Sequence, residues 1–241
     1  MQDKLLAGLI GAGIQQSLTP AMQEEEARHH GLRLHYQLID LDRTPGSAGL
    51  LPTLLAAARV MGFCGLNITF PCKQAVVPLL DELSPQARDM GAVNTVVVRD
   101  GRLHGHNTDG SGWAWGFRRA LPDADLRCVA LLGAGGAGSA IADAACRMGV
   151  QELRIFDADT ARAQALAVAL QARFTTRVQA CADAAQAVAG ASGLVHATPT
   201  GMAKLPGLPV PASLLRADLW VSEVVYFPLE TELLRTARAL G

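Results

Sequence analysis

The stretch Leu131-Leu132-Gly133-Ala134-Gly135-Gly136-Ala137-Gly138 turns from an apolar run into spaced glycines and then into helix-forming residues. The run Cys128–Leu132 reads as a buried strand, and Ser139–Met148 has helical character. Between them lies G-x-G-x-x-G, in the strand–turn–helix context that gives this fingerprint its meaning. The first glycine permits the tight turn, the second lets backbone approach a pyrophosphate, and the third lets helix and strand pack closely. The helix N-terminus then faces the phosphates with free N–H groups and a partial positive charge. A second apolar strand, Leu153–Phe156, ends in Asp157, at the spacing expected of a ribose-binding acid. These features predict a dinucleotide site built from Gly133, Ala134, Gly135, Gly136, Ala137 and Asp157.

On the N-terminal side of this unit, Leu5–Ile10 reads as a strand, followed by the loop Gly11–Leu18. Thr19 at the N-cap and Pro20 at N1 open a helix, with Glu24, Glu25 and Glu26 early in it, where the dipole favours acids. Gly31 ends that helix. Leu34–Ile39 is a second strand, Leu50–Val60 a helix and Phe63–Ile68 a third strand, an alternation that implies an open, mostly parallel sheet. Helical stretches over Lys73–Leu80 and Pro85–Met90 follow. Val93–Arg99 and Leu103–His106 then straddle Asp100-Gly101, a strong hairpin signal. A helix over Ser111–Ala120 leads into the dinucleotide unit.

On its C-terminal side, a helix covers Ala161–Ala172, a strand surrounds Val178, a helix covers Asp183–Ala189 and a strand Leu194–Ala197. A proline-rich loop spans 199–211, and Trp220–Val225 and Glu230–Leu240 are the last strand and helix. The expected architecture is α/β: a substrate-binding domain over 1–107 with an open, mostly parallel sheet, then a Rossmann-type NAD(P)-binding domain over 108–241, with a cleft between them.

Half of the 241 residues are hydrophobic and 18% are charged, which supplies a substantial core. A net charge of −1 gives no electrostatic case for nucleic acid or an anionic membrane. The longest apolar runs fall short of a membrane span, and the N-terminus leads into a strand pattern rather than a signal peptide. Five scattered cysteines form no C-x-x-C and read as reduced thiols of a cytoplasmic protein. The six histidines show no metal-ligand spacing, so no metal is expected. His106 and His196 read as satisfied strand-end residues, and Trp113 and Trp115 as packing residues.

Ser17, Thr19, Asn67, Thr69, Lys73, Asn94, Thr95, Asn107, Thr108 and Asp109 all fall at the ends of strands in the first half. Ligands of open parallel sheets bind outside the carboxyl ends of strands, so these positions can converge on one crevice. Hydroxyls, amides, one ammonium and one carboxylate suit a small polyhydroxylated acid; the same residue types are also ordinary loop-capping residues.

The chain resembles the shikimate dehydrogenase family, and within it the bacterial quinate/shikimate dehydrogenases that prefer NAD. The resemblance lies in Gly8-Leu9-Ile10…Ser17-Leu18-Thr19-Pro20, Gly65-Leu66-Asn67-Ile68-Thr69-Phe70-Pro71-Cys72-Lys73 and Gly91-Ala92-Val93-Asn94-Thr95. It continues through Gly105-His106-Asn107-Thr108-Asp109-Gly110, the glycine loop, Ala197-Thr198-Pro199-Thr200-Gly201-Met202 and Val224-Val225-Tyr226-Phe227-Pro228. It implies that Lys73 and Asp109 form a catalytic dyad, and that Ser17 and Thr19 hold the substrate carboxylate end. Thr69, Asn94 and Tyr226 would complete the substrate shell, with Asn67 supporting the loop. Thr198, Pro199, Thr200, Met202 and Val225 would take the nicotinamide side of the cofactor. Threonine at position 19, where simple shikimate dehydrogenases usually carry serine, is similar to the quinate-using branch. A lysine is ordinarily an ammonium at neutral pH, so Lys73 either loses its proton in a desolvated site or orients the hydroxyl and stabilises the developing alkoxide.

Cofactor choice rests on Asp157. A carboxylate there accepts from the ribose hydroxyls of NAD and opposes a 2′-phosphate. The family's NADP users usually carry an Asn-Arg-Thr-like cluster, whereas this chain reads Phe156-Asp157-Ala158-Asp159-Thr160, which favours NAD over NADP. Arg162, one helical turn away, stacks on adenine, reaches a phosphate or is a solvated helix residue. Two departures from the family pattern stand out: Glu223 replaces the usual aspartate, and the family's C-terminal helices, which return to the first domain, are expected to be missing after Gly241. The expected function is reversible oxidation of the 3-hydroxyl of quinate or shikimate, in quinate metabolism or the shikimate pathway, by a monomer or homodimer acting on small molecules. Two alternatives remain, an NADP-dependent shikimate dehydrogenase of aromatic amino-acid biosynthesis and a non-catalytic quinate/shikimate sensor.

Overall fold

The computed structural model describes residues 4–43 and 46–241. The chain divides between Thr108 and Asp109 into two units, each with its own sheet. Among the described residues, no helix is long and apolar enough to cross a membrane.

The first unit runs β1 (Lys4–Gly11), α1 (Thr19–His29), β2 (Arg33–Asp40), α2 (Leu51–Val60), β3 (Gly65–Ile68) and α3 (Cys72–Ala75). It continues with β4 (Glu82–Leu83), α4 (Pro85–Met90), β5 (Thr95–Arg99) and β6 (Arg102–His106). The strand order is β2-β1-β3-β5-β6-β4. β1 is parallel to both β2 and β3, as the alternating pattern predicts. β5, however, pairs antiparallel with β3 and with β6, so the sheet is mixed. The hairpin turn forces the second of these pairings: Asp100 and Gly101 both adopt positive φ, +52° and +73°, as a two-residue turn with the twist of the strands requires. The reversal matters for the site. Thr95 begins β5 opposite Asn67 of β3 and His106 of β6, at the edge where β1, β3 and β6 end.

Three local expectations are corrected. Thr19 is not an N-cap; Leu18 occupies that position without a side-chain bond, and the Ser17 hydroxyl accepts from the Thr19 N–H instead. Glu24, Glu25 and Glu26 lie beyond the first turn, where Glu25 pairs with Arg28 and Glu24 accepts from the Tyr36 N–H. The helix expected over Lys73–Leu80 shrinks to α3 and a 3-10 turn over Val77–Leu79, because Pro78 supplies no N–H to continue it. The two-residue β4 was not foreseen. The core of this unit centres on Ile10, Leu66, Ile68 and Leu103, all fully buried, with Leu51, Leu55 and Ala58 of α2 packed over the sheet. Burial of each large side chain contributes about 1.5–3 kcal/mol.

The second unit runs α5 (Asp109–Ala120), β7 (Cys128–Leu132), α6 (Gly136–Arg147), β8 (Glu152–Phe156) and α7 (Thr160–Gln171). It ends with β9 (Arg177–Ala180), α8 (Ala184–Val188), β10 (Gly193–His196), β11 (Trp220–Glu223) and α9 (Glu232–Leu240). All its strands are parallel, in the order β11-β10-β7-β8-β9. The chain leaves β7 toward β8 and β9 and later returns on the other side of β7 as β10. The carboxyl end of β7 is therefore a topological switch point, where open α/β sheets bind ligands. Trp113, Phe117 and Trp220 stack with ring centroids 5.1 and 4.8 Å apart, and the Trp113 indole N–H donates to the Ser222 hydroxyl. Trp115 departs from the expected packing role. Two residues along α5 from Trp113, it faces solvent, with the Arg119 guanidinium 5.5 Å from its ring centroid.

Candidate active site

In the first unit, the polar residues at the carboxyl edge are tied together by hydrogen bonds. The buried Tyr36 hydroxyl donates to Asn67 Oδ1 at 2.6 Å, and burial pushes the phenol pKa up, so Tyr36 remains a donor. Asn67 Nδ2 in turn reaches the Asn94 carbonyl at 3.4 Å and the Thr95 hydroxyl at 3.3 Å. Asn94 is the centre of the next layer. Its Oδ1 accepts from the Thr95 hydroxyl and the Thr108 N–H, at 2.9 and 3.0 Å, and its Nδ2 donates to Thr108 Oγ1 at 2.9 Å. The Lys73 carbonyl accepts from the Val93 N–H at 2.8 Å, which fixes α3 beside the segment entering Asn94. Thr69 joins the same edge, donating its N–H to the Ile10 carbonyl at 2.9 Å. The structure thus brings Lys73, Thr69, Asn94 and Thr108 to one edge of one sheet. Ser17 and Thr19 form their own pair in the loop after β1, with the Ser17 hydroxyl donating to Thr19 Oγ1 at 2.9 Å. The support from Tyr36 escaped the sequence reading, because an aromatic in an alternating strand looks like ordinary core.

In the second unit, the glycine loop takes the form that its fingerprint predicts. A Cβ on Gly138 would stand 1.9 Å from the Gly133 carbonyl oxygen, so only glycine lets α6 start this close to β7. Gly133 has φ +103°, and a Cβ there would strike the Ala197 carbonyl at 2.7 Å. At Gly135 nothing lies within 4 Å of an added Cβ, so its backbone faces open space. Gly135 is also the N-cap of α6 and provides no side-chain cap, which leaves the first helical N–H groups for another acceptor. Asp157, at the end of β8, is ordered from both sides. Its Oδ2 accepts from the Ala134 N–H at 2.7 Å and its Oδ1 from the Asp159 N–H at 2.8 Å. Each oxygen keeps a lone pair for a further donor. The donor and acceptor set fits a dinucleotide: anion-seeking N–H groups beside an open glycine, and a carboxylate acceptor one strand away.

Arg162 pairs with Asp159 at 3.1 Å on the first turn of α7. Ala197 follows β10 directly, donating its N–H to the Leu132 carbonyl at 2.8 Å, and so carries the turn Thr198–Met202 to the glycine loop. Pro199 and Met202 are exposed and Thr200 is half-buried. Val225 and Tyr226 follow β11, and Tyr226 is largely exposed. His196 and Glu223 were not read as partners from the sequence, yet they meet at 2.9 Å in the interior.

Known proteins resemble the chain over both units. The shikimate dehydrogenase substrate binding domain matches residues 9–96, and the ornithine cyclodeaminase/mu-crystallin family matches residues 118–224. A shikimate dehydrogenase (NADP(+)) of Streptomyces avermitilis is 56% identical over 243 residues, covering 100% of this chain and 84% of that protein. A quinate/shikimate dehydrogenase (NAD(+)) of Corynebacterium glutamicum strain R is 49% identical over 245 residues, covering 100% of this chain and 87% of that protein. The solved structure of quinate dehydrogenase from Corynebacterium glutamicum in complex with NAD matches with a TM-score of 0.91 at 48% identity, over 99% of this chain and 86% of that one. The fold and these relatives define an α/β oxidoreductase of the dehydrogenase class. Its family follows from the relatives: the chain belongs to the shikimate dehydrogenase family.

Proposed function

We propose that the chain catalyses reversible, NAD-dependent oxidation of the 3-hydroxyl of quinate or shikimate. In this reading residues 1–107 hold the substrate and 108–241 the dinucleotide. The observation that carries it is the hydrogen-bonded run from the Lys73 carbonyl through Val93 and Asn94 to Thr108, the residue before Asp109. That run supports the pairing of Lys73 and Asp109 as the groups that handle the hydroxyl proton. The Lys73 ammonium steadies the oxygen as negative charge develops on it, and the Asp109 carboxylate takes part in moving the proton. Thr69, Asn94 and Tyr226 orient the ring, and Ser17 and Thr19 hold its carboxylate end. When bound, the dinucleotide supplies the hydride acceptor. The N–H groups of Gly135, Gly136 and Ala137 hold its pyrophosphate, Asp157 its ribose, and Thr198, Pro199, Thr200, Met202 and Val225 its nicotinamide end, with Arg162 on the adenine side.

The NAD preference is supported by Asp157, whose charge would meet a 2′-phosphate, and by the likeness to the Corynebacterium glutamicum quinate dehydrogenase solved with NAD. The NADP reading has one observation in its favour, the 56% identity to the Streptomyces avermitilis enzyme named for NADP(+). The partners are small molecules, the working form is a monomer or homodimer, and five free cysteines suit the cytoplasm. Mass analysis of the product tests the reaction itself. Quinate incubated with the chain and NAD is expected to lose two hydrogens per reduced nicotinamide formed. Recovery of unchanged quinate and shikimate with either dinucleotide would contradict the proposal.

A further inference from the structure

The second unit contains a buried acid–base couple that the chemistry above leaves unused. The His196 side chain is fully buried and that of Glu223 is 2% exposed. His196 Nδ1 lies 2.9 Å from Glu223 Oε1, and Nε2 lies 2.5 Å from the Thr198 hydroxyl. The Thr200 N–H reaches that same hydroxyl at 3.3 Å. On the other side, Glu223 Oε1 also accepts from the Val225 N–H at 3.0 Å, and Oε2 accepts from the Thr231 hydroxyl at 2.9 Å. Thr231 is itself the N-cap of α9, accepting from the Leu234 N–H.

With the imidazole proton on Nδ1, every bond in this chain runs one way. Thr200 N–H donates to Thr198, Thr198 to His196, and His196 to Glu223, where the donors from Val225 and Thr231 also end. The Thr198 hydroxyl therefore has its proton and an acceptor pair engaged inside the protein. One carboxylate fixes the turn after β10, the segment after β11 and the start of α9. The Ala203 N–H closes the assembly by donating to the Phe227 carbonyl at 3.2 Å.

We propose that His196 and Glu223 are positioning residues for the dinucleotide, holding the turn Thr198–Met202 and the Val225–Tyr226 segment in one arrangement so that backbone groups of the turn, rather than the Thr198 hydroxyl, meet the nicotinamide end. This rests on the assignment of that turn to the cofactor under the proposed function. The longer side chain of Glu223, where the family usually carries aspartate, is used in full, since both its oxygens accept hydrogen bonds.

Calorimetric titration of NAD and of quinate, each alone, into the native chain, His196→Gln and Thr231→Ser tests the inference. His196→Gln removes the bridge, because one amide cannot span both partners. It is expected to weaken NAD binding about ten-fold or more while quinate affinity stays within about two-fold. Thr231→Ser keeps the hydroxyl that donates to Glu223 and is expected to bind NAD within about three-fold of the native chain. A general structural role would weaken both ligands together. Should His196→Gln fail to fold, Glu223→Leu, which removes the shared acceptor at similar volume, carries the same test. Unchanged NAD affinity in a folded His196→Gln or Glu223→Leu protein overturns the inference and leaves the proposed function standing. A native chain that binds quinate but neither NAD nor NADP overturns the proposed function, and the inference with it.

Discussion

Lys73→Ala is expected to lower kcat by about 10³-fold at saturating quinate and NAD, while KM for quinate changes by less than about ten-fold. The lysine sits on α3, a single turn directly after β3, and its backbone is held by the Val93 N–H. In the proposed function its ammonium acts at the edge where Asn94, Thr95 and Thr108 are locked to one another. A positive charge held there adds little to ground-state binding of a neutral hydroxyl, but it acts strongly on the oxygen once charge develops. The loss should therefore fall on kcat. Asp109→Asn should fall in the same range, and the double variant should lose little more than either single one, as expected of residues that act together. Steady-state rates at saturating concentrations check this; a Lys73→Ala enzyme within about three-fold of native turnover would remove Lys73 from the chemistry.

Asp157→Asn is expected to move selectivity toward NADP by about 10²-fold. A unit charge about 5 Å from another, at an effective dielectric constant of about 20, is worth about 3 kcal/mol, and a 2′-phosphate carries more than one unit. Asparagine keeps an acceptor for the Ala134 N–H, so the glycine loop retains its anchor while the charge is lost. Asp159 remains, but it is half exposed and neutralised by Arg162, so its opposition to the phosphate is screened. The ratio of kcat/KM for NAD to that for NADP, in the native and variant enzymes, measures the effect. An unchanged ratio would show that selectivity resides elsewhere in the loop.

Much of the fold was legible because local chemistry agreed with the global arrangement. The glycines at 133, 135 and 138 admit few other structures between a strand and a helix, and Asp100-Gly101 admits few turns other than the observed one. Other features depended on partners far away in sequence. The antiparallel entry of β5 follows from how the segment between β3 and β5 folds, and short pieces such as α3 and β4 leave little periodic signal. Thr19 looked like a helix cap because its type and its proline neighbour fit one, yet Ser17 satisfies the Thr19 N–H from two residues upstream. The site showed the same division. Asn94 and Thr108 carry recognisable motifs, whereas Tyr36 and His196 gain meaning only through Asn67 and Glu223, 31 and 27 residues away in the chain.

Initial rates of nicotinamide reduction by the native chain, with quinate and with shikimate, each against NAD and NADP, decide whether it oxidises a ring hydroxyl with NAD. Turnover is expected with quinate, with shikimate or with both, and a kcat/KM for NAD at least about 10²-fold above that for NADP, the discrimination expected from the Asp157 charge. Turnover confined to NADP would contradict the cofactor assignment, and no reduction in any of the four combinations would contradict the proposed oxidation.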